Sequence, residues 1–190
     1  MTVLPTALRI SLVCWFAFEV GLDVRDIVRR KGRLRRDRGT RLVVSVSLVL
    51  AVLMAILTRQ WVPSLDTPAH DLFLVLGVTV VWIGLAVRAW AVITLGASFR
   101  TYVEVDADQT VVTRGPYRWV RHPSYTGLLL ISLGFGLAIG NWLSLAICAV
   151  VPALGLLPRI VVEEAEMTRV LGDPYREYRA RTRRIIPGLW

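Results

Sequence analysis

The sequence has little of what disulfide-rich domains and metal sites require. Its 190 residues include two cysteines, Cys14 and Cys148, and two histidines, His70 and His122. Both cysteines lie within apolar runs, so they predict neither a disulfide framework nor a zinc site. Two histidines are also too few for a histidine-rich metal site, and we expect no bound metal.

Acidic residues are scarce as well. There are 14 Asp and Glu against 23 Lys and Arg, which gives a formal net charge of +9, while 55% of the residues are hydrophobic. A soluble core in a chain of this length cannot bury so many apolar side chains. This composition is equally untypical of a disordered chain. The sequence therefore indicates an integral membrane protein.

The apolar runs predict five transmembrane helices. Residues 3–22 have no basic flank before them and no small-residue cleavage site after them, which argues against a removable signal peptide. Runs close to the length of about 20 residues that a span needs follow at 42–58 and 72–95. A longer block at 126–157 is interrupted at Gly140-Asn141, where we expect a tight turn joining two short helices.

Basic residues are concentrated in three segments. Nine of the 23 lie at 24–41, four at 96–125 and seven from 159 onwards. With five spans these segments share one side, which the positive-inside rule makes cytoplasmic. We therefore expect an inner- or plasma-membrane protein with its N-terminus outside and its C-terminus in the cytoplasm. The basic loop could bind nucleic acid, but beside a span we interpret it as a topology signal that contacts anionic lipids.

A folded helical cap is expected after the last span. The apolar helical pattern continues to Leu171, and Gly172, Asp173 and Pro174 then have the residue types that end one helix and begin another. A short second helix is predicted from Pro174 to about Arg183. The fold class is therefore all-α: a polytopic membrane protein with a cytoplasmic C-terminal helical cap.

Two polar clusters are expected at the cytoplasmic end. One is the segment 115–125 before the fourth span, and the other is Arg159 with Glu163, Glu164 and Glu166 after the fifth. Because the fourth and fifth spans form a hairpin, the two clusters should meet at one membrane depth. We expect a functional site where they meet.

The side chains of these clusters allow more than one interpretation. Arg159 and Glu163 share a helix face, where they could neutralise each other or serve a carboxylate and an ammonium group of ligands. His122 could be a structural residue. However, Pro123 restricts its backbone, and its position between Tyr117 and Tyr125 favours binding or catalysis.

The motifs together resemble a known family. The pattern GPYxxxRHPxYxG, followed by an apolar hairpin, a Glu-Glu pair and GxxYxxY, covers about residues 110–187. It resembles the isoprenylcysteine carboxyl methyltransferases and their bacterial relatives, within the wider group that includes phospholipid N-methyltransferases. The resemblance implies S-adenosylmethionine as methyl donor, bound over the last two spans. In agreement, no GxGxxG motif follows a strand.

The resemblance also implies roles for individual residues. Arg159 stands where the family holds the acceptor carboxylate, and it is the expected catalytic residue. The expected cofactor-binding residues are Gln109, Thr110, Val111, Val112, Tyr117, His122, Pro123, Ser124, Tyr125, Glu163 and Glu164. Among them, Glu163 would hold the ammonium group of the cofactor. The chain would divide into an N-terminal membrane region, 1–100, and a methyltransferase core, 101–190.

The expected activity is methyl transfer to the carboxylate of a lipophilic small molecule or prenylated acceptor. The expected surroundings are membrane lipids, without nucleic acid and without an obligate protein partner. An amine acceptor, as in phospholipid N-methyltransferases, would need a base, for which His122 or Glu164 could serve. A third interpretation is a sterol-reductase-like enzyme with a nicotinamide dinucleotide, against which the glutamate cluster argues.

A fourth interpretation is a transport or scaffold subunit. Charges inside spans often mark conduction paths, and Arg88 is the candidate here. Its side chain could equally extend to the cytoplasmic edge or pair with Glu19 on the first span. The nearby glycines, Gly77 and Gly84, are more typical of close helix packing than of a pore.

Overall fold

The computed structural model describes residues 4–28, 39–99, 110–186 and 188. Within these ranges the secondary structure is helical, apart from two isolated β-bridges, so the all-α prediction is confirmed. The six α-helices are α1 (Thr6–Val28), α2 (Thr40–Trp61), α3 (His70–Leu95), α4 (Pro123–Ile139), α5 (Trp142–Leu171) and α6 (Asp173–Arg181). Short 3-10 turns lie at Pro63–Leu65, Gly96–Ser98 and Gly115–Arg118.

Three of these helices, α2, α3 and α5, are long and apolar enough to cross a membrane. Helix α4 is apolar but has 17 residues. Helix α1 has 23 residues, but its sequence includes Arg9 and a charged C-terminal part with Glu19, Asp23, Arg25 and Asp26. The prediction of five spans is thus supported for three helices, and for α1 and α4 it stays a prediction.

The turn between α4 and α5 lies where the sequence predicts it. Gly140 has a left-handed backbone (φ 72°), and a Cβ atom there would lie 2.5 Å from His70 Nδ1. Asn141 caps α5, because its Oδ1 accepts hydrogen bonds from the amides of Leu143 and Ser144 at 3.1 and 3.2 Å. The predicted hairpin is confirmed, although α5 continues for a further four turns beyond the apolar run.

Close packing of α3 on α4 sets the geometry of the site. A Cβ atom on Gly84 would lie 2.8 Å from the carbonyl oxygen of Gly127, and one on Gly127 would lie 2.8 Å from Arg88 Cβ. Only glycine permits such an approach of two helix backbones. The contact brings the stem of Arg88 against the first turns of α4.

The main apolar core is built from side chains of α1 to α5. Its most deeply buried large side chains include Ile131, Phe135, Leu156 and Ile160. Polar side chains also join the helices: Ser144 Oγ donates to the carbonyl oxygen of Ala55 at 2.7 Å, and Ser132 Oγ to that of Cys148 at 2.8 Å. The core therefore holds the hairpin rigidly against α2.

The C-terminal segment folds back onto the loop before α4. Helix α6 begins at Asp173, one residue earlier than predicted, and ends at Arg181, two residues earlier. Beyond it, the backbone amide of Arg121 donates to the carbonyl of Arg183 at 2.7 Å, and the amide of Arg183 donates to the carbonyl of Trp119 at 3.2 Å. This pairing with the loop replaces the last predicted helical residues.

Candidate active site

Tyr125, in the first turn of α4, joins the two predicted clusters. Its hydroxyl accepts a hydrogen bond from Arg159 Nε at 2.8 Å and donates one to the carboxylate of Glu163. Its ring stacks on the imidazole of His122, with centroids 5.3 Å apart and planes 7° from parallel. The predicted meeting of the clusters is therefore confirmed, and a tyrosine hydroxyl bridges the arginine and the glutamate.

His122 lies between two carboxylates of α5. Its Nδ1 is 3.9 Å from Glu163 Oε2, and its Nε2 is 3.4 Å from Glu164 Oε1. The residue is buried, and its backbone amide donates to the carbonyl of Arg184 at 2.9 Å. The loop and the C-terminal segment thus fix the imidazole between the glutamates.

Glu164 is a buried carboxylate in a cluster with three arginines and His122. Arg121 Nε donates to its Oε1 at 2.8 Å, while Arg184 Nε and Arg179 Nη2 lie 3.4 and 3.7 Å from its Oε2. Such a satisfied cluster ties α5 to α6 and to the C-terminal segment. Glu164 thus contacts arginines and His122, and its expected part in cofactor binding, which the family resemblance implies, stays a prediction.

Two tyrosines of α6 complete the polar end. Tyr178 donates to the carbonyl of Tyr117 at 2.7 Å, and its ring centroid lies 5.9 Å from that of Tyr175. Burial, and then the charges of nearby glutamates, raise the pKa of Tyr175, and burial raises those of Tyr117 and Tyr178. The three phenols therefore stay neutral. Their spacing in GxxYxxY places Tyr175 and Tyr178 on one helix face, the signal by which they could have been predicted.

A cavity of about 420 Å³ opens between these residues. Most of the predicted site residues line it: Thr110, Val111, Val112, Tyr117, His122, Ser124, Tyr125, Arg159 and Glu163. Pro123, at the first position of α4, and Glu164 are not among its lining residues. Gln109 lies outside the described residues.

Another part of the cavity lining comes from the N-terminal helices and is mostly apolar. It includes Trp15, Phe16 and Val20 of α1 and Val44 and Leu48 of α2, together with the charged side chains of Glu19, Asp23 and Arg41. The sequence did not predict these contributions, because an apolar side chain in a span has the same pattern whether it faces lipid or a cavity. The cavity lining thus combines charged and apolar side chains.

Arg88 lies on the same cavity, within α3. Its Nε and Nη2 donate to the two carboxylate oxygens of Glu19 at 2.6 and 2.7 Å, and its Nη1 donates to Ser124 Oγ at 2.6 Å. Of the alternatives for Arg88, pairing with Glu19 is therefore confirmed. The bond to Ser124 was not predicted, since no sequence pattern relates these two positions.

Comparison with known proteins gives the family. The family model described as "Isoprenylcysteine carboxyl methyltransferase (ICMT) family" matches residues 75–169, half of the chain. The chain belongs to this family. The resemblance of its motifs is thereby confirmed, and the matched segment contains His122, Tyr125, Arg159 and Glu163.

Curated relatives and a solved structure agree with this assignment. The protein-S-isoprenylcysteine O-methyltransferase of Schizosaccharomyces pombe is 35% identical over 107 residues, which cover 55% of this chain and 45% of the relative. A probable enzyme of that name from Oryza sativa subsp. indica is 29% identical over 80% of this chain and 82% of its own. The structure of a eukaryotic intramembrane Ras methyltransferase, ICMT, superimposes with a TM-score of 0.64 at 27% identity, covering 76% of this chain and 52% of that one. The chain thus spans about half the length of the first relative and of the solved structure.

Proposed function

We propose that this protein is an integral-membrane, S-adenosylmethionine-dependent methyltransferase that methylates the carboxylate of a prenylated or lipid-like acceptor. One observation carries the proposal. A single cavity is lined both by Arg159, Glu163 and His122 and by apolar side chains of α1 and α2. A methyl donor with charged groups and an acceptor with an apolar chain need such a cavity. Membership of a family named for this activity supports the same conclusion.

The charged and polar residues of the cavity fit the cofactor. A volume of about 420 Å³ lies in the range of small-molecule sites, about 300–1,000 Å³. The carboxylate of Glu163 suits an ammonium group, and the neutral phenol of Tyr117 and the segment 110–112 provide further walls. When bound, S-adenosylmethionine supplies the methyl group from its sulfonium. Glu163, His122, Tyr117 and residues 110–112 would hold it.

Arg159 would hold the acceptor. Arg159 lies one helical turn before Glu163 on α5, and its planar guanidinium matches a carboxylate in shape and charge. A carboxylate is already ionised at neutral pH, so no side chain has to act as base. The residues would instead align the acceptor oxygen and exclude water, which are the two contributions that such a transfer requires. The apolar wall would bury the hydrocarbon chain.

A carboxylate acceptor is favoured over an amine. An amine acceptor must lose a proton before transfer, and as an ammonium it would be repelled by Arg159 on the cavity wall. The phospholipid N-methyltransferase activity is therefore the second candidate. The nicotinamide-dependent reductase and the transport subunit have no support from the family to which the chain belongs.

The proposal includes a membrane topology. In it, α1 and α4 are also spans, the N-terminus lies outside, and the site and the C-terminus lie in the cytoplasm. The segments 24–41 and 159–190 contain 16 of the 23 basic residues, which supports this orientation. Green fluorescent protein fused after Trp190 should fluoresce in intact bacteria, and the same protein fused after Leu65 should not. The reverse pattern would overturn the orientation.

The function is tested by calorimetric binding of S-adenosylhomocysteine to the detergent-purified protein. We expect wild type to bind it and Glu163→Gln to bind at least about tenfold more weakly, since a hydrogen bond to a charged group contributes about 1.5–3 kcal/mol. The matched control is Glu177→Gln on α6, an exposed glutamate that pairs with Arg181 at 3.6 Å. Methyl transfer to a farnesylated cysteine analogue is measured next. A protein that binds a nicotinamide dinucleotide and no S-adenosylhomocysteine would overturn the proposal.

A further inference from the structure

Helix α1 lies outside the segment matched by the family, yet several of its side chains line the cavity and one of them is linked to α4 by hydrogen bonds. The family match covers residues 75–169, whereas Glu19 is in the C-terminal half of α1. Glu19 contacts Arg88 of α3 through both carboxylate oxygens, at 2.6 and 2.7 Å. Arg88 in turn contacts Ser124, one of the predicted cofactor residues, through Nη1. A continuous line of charge-assisted hydrogen bonds therefore runs from α1 to α4.

The first turn of α4 depends on contacts from other segments. None of the described residues provides a side-chain cap for this helix end. The turn is held instead by the backbone amide of His122, which donates to Arg184 at 2.9 Å, and by Arg88 Nη1, which donates to Ser124 Oγ and to its carbonyl at 2.6 and 3.3 Å. Because His122 and Tyr125 belong to this turn, Arg88 influences where both rings lie in the cavity.

Glu19 fixes the guanidinium of Arg88. A bidentate pair of a carboxylate with a guanidinium restricts both the position and the plane of the guanidinium. Arg88 is 5% exposed, so the carboxylate of Glu19 is its main charged partner in a place with little contact with bulk solvent. Without Glu19, the guanidinium would be a buried charge lacking its carboxylate partner and would reorient. The hydrogen bonds to Ser124 would then be lost or displaced.

We propose that Glu19 is a positioning residue of the cofactor site, which acts through Arg88 on Ser124 and the first turn of α4. The inference rests on the proposed function, because cofactor binding is its readout. It assigns to α1 a part in the site that the matched segment of the family does not contain. Glu19 itself is among the residues that line the cavity, and the inference is that its effect on binding passes through Arg88.

Other contacts attach α1 to the rest of the protein, so the proposed role of Glu19 differs from holding the helix in place. Asp23 pairs with Arg41 of α2. Arg25 Nη2 donates to the carbonyl of Phe99 at 3.4 Å, and its guanidinium lies 5.2 Å from the centre of that ring. These contacts hold α1 to the rest of the protein without passing through Arg88. Loss of Glu19 should therefore leave α1 in place.

A double-mutant cycle tests the inference, with affinity for S-adenosylhomocysteine measured by calorimetry. Glu19→Gln and Ser124→Ala are each expected to weaken binding about tenfold, as for loss of a hydrogen bond to a charged group. If Glu19 and Ser124 act through the same hydrogen bonds of Arg88, the affinity of the double variant should be about that of the single variant with the lower affinity. Arg25→Gln, which removes a different contact of α1, is the matched control and should change affinity less than about twofold.

The outcomes separate the inference from the proposed function. Independent losses that add in the double variant, or a Glu19→Gln protein with wild-type affinity, would overturn the role of Glu19 while the function stands. A wild-type protein that binds no S-adenosylhomocysteine would overturn both. If Glu19→Gln fails to fold, Glu19→Asp replaces it in the cycle. That variant keeps the charge on a shorter stem, and its weaker binding should likewise not add to that of Ser124→Ala.

Discussion

Similar residue types lie around the two ends of the α4–α5 hairpin, but only at one end do they line a large cavity. At the end near the turn, Arg59, Asp66, His70 and Asn141 lie together, and Arg59 Nη1 donates to the carbonyl of Ile139 at 2.5 Å. The adjoining cavity measures only about 30 Å³. At the other end, Arg159 and its neighbours surround about 420 Å³. An arginine, a histidine and a carboxylate therefore make a candidate site only where packing leaves room for a ligand.

The contacts at the turn are consistent with a structural role. Asn141 Nδ2 donates to Asp66 Oδ1 at 2.8 Å and to the carbonyl of Val62 at 3.0 Å, while its Oδ1 caps α5. Thr67 donates through its amide to the carbonyl of Gly140 at 2.9 Å. These bonds fasten the loop between α2 and α3 to the hairpin. The comparison predicts that substitutions at this end change stability and those at the other end change function.

The largest effect is expected from replacing Arg159 at the site, with the replacement of Arg59 at the turn as the comparison. Arg159→Gln should lower kcat/KM for a farnesylated cysteine analogue by about 100-fold or more, because the carboxylate loses its cation. It should change the affinity for S-adenosylhomocysteine much less. Arg59→Gln, the matched substitution at the turn, should lower the temperature of unfolding and leave kcat/KM within about twofold of wild type. Equal losses of activity in the two variants would contradict the comparison.

The two histidines, His122 at the site and His70 at the turn, allow the same comparison. His122→Ala removes a ring that stacks on Tyr125 and contacts Glu163 and Glu164, so affinity for S-adenosylhomocysteine should fall about tenfold. His70→Ala removes a ring whose Nε2 lies 3.4 Å from Arg59, and affinity should stay within about twofold. Calorimetry on both variants measures this. A loss of binding in His70→Ala would show that the turn communicates with the site.

A smaller effect, on stability alone, is expected at Asn141. Asn141→Ala removes the cap of α5, which costs about 0.5–2 kcal/mol, and leaves Asp66 without one of its hydrogen bonds. The temperature of unfolding should fall, while affinity for S-adenosylhomocysteine measured below that temperature is unchanged. The control is Asn141→Ser, which keeps a capping oxygen without adding a charge beside Asp66 and should recover part of the stability. A variant with reduced affinity and unchanged stability would reverse the roles of the two ends.

Local patterns made part of this structure predictable. The Gly140-Asn141 turn, the restart of the helix after Gly172 and the meeting of Tyr125 with Glu163 follow from turn residues, capping residues and hairpin geometry. The apolar wall from α1 and α2 did not follow, because lipid and a ligand cavity favour the same side chains. Nor did the arginine contacts of Glu164, since only the fold brings Arg179 and Arg184 of the C-terminal segment to it. Contacts between segments distant in sequence decide which of two adjacent glutamates faces the cavity.

The smallest expected effect is a dependence of stability on alkaline pH that arises at the site and not at the turn. Burial raises the pKa of Tyr175 above the usual value of about 10. As the pH rises through about 10, the unfolded chain loses the phenolic proton while the folded chain retains it, so the free energy of unfolding decreases. Tyr175→Phe removes this contribution and should lessen the decrease.

Unfolding temperatures between about pH 8 and pH 10.5 measure the dependence, which is centred near the usual tyrosine value. Asn141→Ala is the matched control, because it lowers stability without removing a phenol and should keep the wild-type slope. The phenols of Tyr117, Tyr175 and Tyr178 remain protonated in the folded protein over the same pH range. They should therefore cause no change in the affinity of the wild type for S-adenosylhomocysteine. If the unfolding temperature of Tyr175→Phe fell with pH as steeply as that of the wild type, this phenol would ionise as readily in the folded protein as in the unfolded chain. The end of the hairpin at α6 would then be as open to water as an ordinary loop.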